Sequence, residues 1–191
     1  MKPLKGMGVW LRPIGEDDLA VLFRWRNTEL FMSTCMGSVA KSRSRKAFRA
    51  ELVETFATGR HVQMMVLDRH NTPVGTIFSY FYDPTHKNAF VTIYIDPAYT
   101  NRGYGAAAFY AFTDFLFRKY RLFKTYSDVF DYNARVIDQL LRLGLKEEGR
   151  FRGHQLYKGR RHDLVRLALY PRDAATDGGP AGAGEARKGR R

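Results

Sequence analysis

The stretch from Phe90 to Tyr120 constrains the fold most, because the hydrophobic period changes inside it. Phe90-Val-Thr-Ile-Tyr-Ile95 is a run of aromatic and β-branched residues, the composition of a strand. From Ala106 to Tyr120 the apolar positions Ala108, Ala111, Phe112, Phe115 and Leu116 follow a helical period instead. Between the two lies a short loop in which Arg102, Gly103 and Gly105 stand just before the helix. Such a joint leaves the first helical amides without intrahelical partners, under the positive end of the helix dipole. Glycines let an anion approach the main chain, and an arginine adds a bidentate phosphate donor. The joint reads as a diphosphate site; its other reading is a turn whose glycines only relieve strain.

The rest of the chain organises around this joint. Val9 to Ile14 is a short strand closed by Gly15, and Glu16, Asp17 and Asp18 open a helix carrying Leu19, Leu22, Phe23 and Arg26. The basic segment Lys41 to Arg49 runs into a second helix with an apolar face of Phe48, Leu52, Val53 and Phe56, stopped by Gly59. His61–Asp68, Val74–Tyr82 and Phe90–Ile95 read as an antiparallel meander. A strand at Leu122–Phe130, a helix at Asn133–Leu143 and strands at Glu147–Arg152 and Leu164–Tyr170 complete the order. The expectation is an α/β (α+β) fold: one domain over residues 1–171 with a mixed central sheet and flanking helices. The strands at Phe90 and Leu122, joined by a helix, should run parallel with a right-handed crossover if they share a sheet. Residues 172–191, rich in Ala, Gly and charge, read as a disordered tail.

Composition narrows the function. No run of 18 apolar residues occurs, and the first ten residues lack the apolar core of a secretory signal, so a cytoplasmic protein without a membrane partner is expected. Cys35 is the single cysteine, which precludes an internal disulfide and fits a reducing compartment; no histidine is paired with it as in a covalent nucleophile. Thiolate and imidazole ligands are not clustered, so no metal is expected. The net charge is +13, which favours polyanions such as nucleotide phosphates, nucleic acid or an acidic carrier, or else marks a solvated basic surface.

Thr100-Asn-Arg-Gly-Tyr-Gly105 resembles the pyrophosphate loop Gln/Arg-x-x-Gly-x-Gly/Ala of the GNAT superfamily of N-acyltransferases, departing from it at Thr100. Asn133 to Leu145 resembles the family's asparagine-bearing helix that ends in Leu-Gly-Phe. Leu11-Arg12-Pro13 before an acidic helix start is similar to the RimJ/RimL-like and polyamine-acetylating branch. The resemblance runs from about Val9 to Tyr170. It implies transfer of an acetyl or other acyl group from acetyl-CoA to an amine, by direct attack in a ternary complex. It implies splayed parallel strands around a cofactor cleft, with the main chain of Ile93, Tyr94 and Ile95 holding the pantetheine arm as an added strand would. Amides of Thr100, Asn101, Arg102, Gly103, Tyr104 and Gly105 would hold the pyrophosphate. Asn133 would contact the cofactor near its reactive end, unless it is simply an N-cap. The Ile95 amide is a candidate to polarise the thioester carbonyl.

The resemblance fails at the usual acid and base. Phe90 stands where polyamine-type relatives carry a glutamate, Leu140 where many carry a tyrosine, and Val136 where RimL-like relatives carry a serine. Tyr94 as proton donor and Asp128 as acceptor through water are the candidates, against readings as a cleft-lining aromatic and a capping carboxylate. By strand alternation Phe78, Tyr80 and Tyr82 share one face on the acceptor side. His61 reads as a strand-edge residue and His86 as a loop residue. The acceptor is a small amine or a peptide N-terminus. Basic stretches at Lys41–Arg49, Arg118–Lys124 and Lys158–Arg166 leave open an acyl carrier protein or aminoacyl-tRNA as donor. A non-catalytic binder of CoA or nucleic acid is a third reading, and a homodimer is compatible with all of them.

Overall fold

The computed structural model describes residues 4–6, 8–35, 44–57 and 61–171. The basic residues at 41–43, the stop at Gly59 and the tail at 172–191 lie outside the described residues. Eight strands form one sheet: β1 Leu4–Gly6, β2 Val9–Pro13, β3 Val62–Asp68, β4 Pro73–Asp83, β5 Asn88–Ile95, β6 Lys124–Phe130, β7 Lys146–Tyr157 and β8 Arg160–Leu169. Their spatial order is β1-β2-β3-β4-β5-β6-β8-β7, and among the described residues only β5 and β6 run parallel. The helices are α1 Leu19–Arg26, α2 Glu29–Cys35, α3 Arg45–Ala57, α4 Tyr104–Tyr120 and α5 Ala134–Arg142. No helix among the described residues is long and apolar enough to cross a membrane.

Alternation along β5 divides the core in two. Ala89, Val91, Ile93 and Ile95 face α4, whose Phe109, Phe112 and Leu116 pack on Leu11, Met64 and Ile77 of neighbouring strands. Tyr94 faces the opposite way, into a second cluster built from Leu22, Trp25, Phe31 and Phe48 against Met65, Leu67 and Phe78. Each large side chain buried in this way stabilises the fold by about 1.5–3 kcal/mol. The two clusters clamp β5 from both faces and so fix the strand that leads into the joint.

Several boundaries differ from the sequence reading, for local reasons. Glu16–Asp18 forms a 3-10 turn before α1, closed by Asp18, which accepts from both Arg12 nitrogens (2.6 and 2.9 Å) and from the Gly15 amide (2.7 Å). This is the physical content of the Leu-Arg-Pro motif. Helix α4 begins at Tyr104, so Gly105 lies inside its first turn. Strand β6 begins at Lys124 and not Leu122, because Arg121 ends α4 in a left-handed conformation. Strands β7 and β8 are longer than expected and meet at Lys158-Gly159, both at positive φ (49° and 77°), as a two-residue hairpin turn requires.

The alternation expected for Phe78, Tyr80 and Tyr82 is broken. Phe81 has φ 50°, and the β4–β5 register shifts between Tyr80 and Asp83. The extra residue of this bulge turns Tyr82 to the other face, where its ring meets Tyr120 at 5.1 Å. Phe81 is left beside Tyr80 and Phe90 instead.

Candidate active site

Strands β5 and β6 pair only from Asn88↔Lys124 to Phe90↔Tyr126. The Ser127 hydroxyl donates to the Val91 carbonyl (3.1 Å), and beyond that link the strands part. Which β5 groups face the gap follows from the ladder on its other side. The Asp96 amide donates to the Val74 carbonyl (2.9 Å), so by antiparallel alternation Tyr94 and Thr92 bond β4. Ile93 and Ile95 turn their N–H and C=O groups the other way, into the gap. Of the three residues expected to offer main chain to a pantetheine arm, Ile93 and Ile95 turn theirs toward the gap, whereas the Tyr94 main chain belongs to the β4 ladder.

The loop continues from the same strand end. Asp96 caps a 3-10 turn at Pro97–Tyr99, accepting from the Ala98 amide (3.1 Å). The Thr100 amide donates back to the Pro97 carbonyl (3.4 Å) and is thereby turned inward. The amides of Asn101 through Ala106 make no main-chain hydrogen bond among the described residues. Gly103 is the N-cap of α4 at φ 80°, and a Cβ there would meet nothing within 4 Å. Open space, free amides and a helix N-terminus fit a diphosphate. Arg102 is folded back, donating to the Ala98 carbonyl (3.3 Å) and lying over the Tyr99 ring (5.6 Å). The cation beside the loop is Arg135, which donates to the Asn101 side chain. The sequence reading missed it, although it stands two residues after Asn133. Asn133 is the N-cap residue of α5, but its side chain makes no capping bond. Its amide is thus available to a ligand in the gap.

A cavity of about 720 Å³ opens on the α1–α3 face of the sheet. It touches β5 at Phe90 and Thr92 and β6 at Asp128 and Phe130, on either side of the gap. The β7–β8 turn closes over α2, with Tyr157 donating to Glu29 (2.9 Å) and Lys158 paired to the same carboxylate (2.7 Å). Asp128 lies in the wall, yet both its oxygens accept from Arg166 (2.8 and 2.7 Å). The bidentate pair engages both oxygens, so the carboxylate holds Arg166 in the wall. Tyr94 is 3 % exposed, packed between Trp25 and Phe31, and its side chain is not part of the cavity wall. Burial pushes its hydroxyl further above the usual phenol range.

His61 is in the wall, its ring tilted against that of Phe78 (centroids 5.7 Å apart), and not simply at a strand edge. Burial holds its imidazole below the usual range, which keeps it neutral and able to take a proton. Only the tertiary packing against Phe78 distinguishes it from the other histidines. Cys35 also lines the cavity, 3.9 Å from the Ile93 carbonyl, but burial pushes its thiol up to about 12. It is therefore no thiolate nucleophile. Leu140, in place of the family tyrosine, is buried in the α4-side core.

The sequence matches the acetyltransferase (GNAT) domain family over residues 9–146. The chain belongs to that family. With membership comes the reaction class: this is an N-acetyltransferase using acetyl-CoA and an amine. The solved structure of spermidine N-acetyltransferase from Vibrio cholerae in complex with CoA and spermine superposes on the GNAT fold seen here with a TM-score of 0.79. It is 20% identical, with 85% of this chain and 95% of that one covered. A dodecameric structure of spermidine N-acetyltransferase from Vibrio cholerae in an intermediate state gives 0.75 at 18% identity, covering 89% and 97%. At such identity the likeness carries the fold alone. No curated protein matches the sequence.

Proposed function

We propose that this acetyltransferase holds acetyl-CoA along the gap between β5 and β6, and takes its amine acceptor through the cavity on the opposite face. The observation that carries this reading is the row of amides from Asn101 to Ala106 without main-chain partners, continuous with the main-chain groups that Ile93 and Ile95 turn toward the gap. When bound, acetyl-CoA supplies an activated acyl group as a thioester. The Ile95 amide would donate to the acyl oxygen as negative charge develops there, and CoA would leave as its thiolate when the C–S bond breaks. Arg135 and the α4 N-terminus balance the diphosphate, and the Asn133 amide orients the arm near Ile93.

The acceptor amine must be neutral to attack. His61 is the cavity-wall group best suited to take its proton, through water. We assign Asp128 to positioning, as the partner that holds Arg166 in the wall, and Tyr94 to the packing that fixes β5. The free thioester is the donor in this reading. The basic stretches that suggested a carrier protein or tRNA are broken up by ion pairs: Arg49–Glu16 (3.0 Å), Arg118–Asp114 (3.0 Å), Lys124–Glu148 (2.7 Å) and Lys158–Glu29 (2.7 Å). Leu11-Arg12-Pro13 and its Asp18 partner support the RimJ/RimL-like branch, and we further read residues 1–171 as a single domain in a cytoplasmic setting.

The test is thioester consumption from acetyl-CoA with a panel of amines, beside calorimetry of CoA binding. CoA binding with turnover on at least one amine is expected. Absence of CoA binding, or steeply salt-dependent tRNA binding with a donor requirement for charged tRNA, would overturn the proposal.

A further inference from the structure

We propose that the acceptor is a monoamine carried on a flat aromatic body, stacked against Tyr80, Phe81 and Phe90, and not a polyamine. The inference rests on the acyltransferase reading above and narrows it to a substrate class.

The first support is the conformation of Phe81. Its φ of 50° lies in the left-handed region, which bulky residues rarely adopt, and its side chain is 77 % exposed. Regular alternation would have sent this ring to the α4 face. The bulge instead holds it on the cavity side, with ring centroids 5.1 Å from Tyr80 and 5.8 Å from Phe90 at 88°. Tyr80 and Phe90 are themselves 5.4 Å apart. An exposed ring gains little from burial, so folding alone gives no return for this backbone. The open ring faces are where a flat ligand would stack, at the separations aromatic pairs prefer.

The second support is charge. Among the described residues the wall carries two guanidiniums, Arg26 and Arg166, and two carboxylates, Glu51 and Asp128. These four described groups balance in formal charge. Asp128 is committed to Arg166, whose guanidinium also covers Phe90 (4.8 Å) and Phe151 (5.2 Å). An amine must lose its proton before it attacks. A monoamine then leaves no charge among these rings, whereas a polyamine keeps its remaining ammonium groups there. The two wall carboxylates, set beside two guanidiniums, do not offset several further ammonium groups.

The experiment measures binding of tryptamine, hexylamine and spermidine to the CoA-loaded protein by calorimetry, with thioester consumption from acetyl-CoA alongside. Tryptamine should bind about tenfold tighter than hexylamine, the scale of one aromatic contact, and spermidine weakest. Phe81→Gly should weaken tryptamine by a similar factor of about ten. Its melting temperature should hold or rise, because glycine adopts the left-handed backbone freely. Tighter binding of spermidine, equal binding of hexylamine, or unchanged tryptamine affinity in Phe81→Gly would overturn the inference. Tryptamine binding with no turnover on any amine would support this pocket and sink the acyltransferase reading. Preferred turnover of spermidine would do the reverse.

Discussion

The Trp25 indole nitrogen donates a 2.6 Å hydrogen bond to Oδ2 of Asp96, 71 residues further along the chain. The other Asp96 oxygen accepts from the Ala98 amide at 3.1 Å, so one carboxylate ties α1 to the end of β5 and starts the loop. Trp25→Phe keeps the ring but removes the donor. It should lower stability by about 2 kcal/mol and weaken CoA binding, because the loop loses its anchor. Urea unfolding and calorimetry check both; unchanged CoA affinity would mean that the loop holds its shape without this bond.

Gly103 separates backbone conformation from charge. Asparagine tolerates positive φ, and a Cβ there meets no protein atom within 4 Å, so Gly103→Asn should fold normally. Gly103→Asp is nearly isosteric but adds a negative charge where the diphosphate is expected. It should bind CoA at least about tenfold more weakly than the asparagine variant, with the gap narrowing in high salt. Equal affinities would place the diphosphate elsewhere.

His61→Phe keeps a ring against Phe78 and removes the proton acceptor. The expected outcome is a fall in kcat of about 100-fold or more, with acetyl-CoA affinity retained. Steady-state kinetics on the best amine of the panel tests this. A kcat within a factor of about two would remove His61 from the chemistry.

Gly75 has no room for a side chain. A Cβ there would lie 2.2 Å from the Tyr94 carbonyl oxygen and 2.8 Å from Ile95 Cδ1. Gly75→Ala should therefore destabilise the protein by about 3 kcal/mol or displace β5, and with it the groups facing the gap. Thermal unfolding with and without CoA measures both effects.

Asp18 predicts a dependence on pH. Burial alone would raise its carboxyl, but Arg12 and the Gly15 amide outweigh burial and hold it below the usual range. A lowered folded-state pKa means the contribution is complete above the unfolded value of about 4 and is lost as pH falls through the folded value. Asp18→Asn should cost about 2 kcal/mol at neutral pH and flatten that part of the acid-unfolding curve. Parallel acid titrations followed by circular dichroism decide it.

Period and punctuation carried the local structure. The change from alternation at Phe90–Ile95 to helical spacing after Ala106 depends only on neighbours along the chain, and so did the glycine pair at the joint. The parallel β5–β6 pair with its intervening helix was legible for the same reason. Tertiary packing decided the rest. The main chain of Ile93 points into the gap while that of Tyr94 does not, because the ladder to β4 sets the alternation and no side chain encodes it. Asp128 is tied up by Arg166, and His61 is held neutral against Phe78, through contacts across strands that spacing does not reveal. Phe81 stands on the cavity side because one left-handed residue shifts the register, and a bulge at a phenylalanine leaves no mark in the sequence.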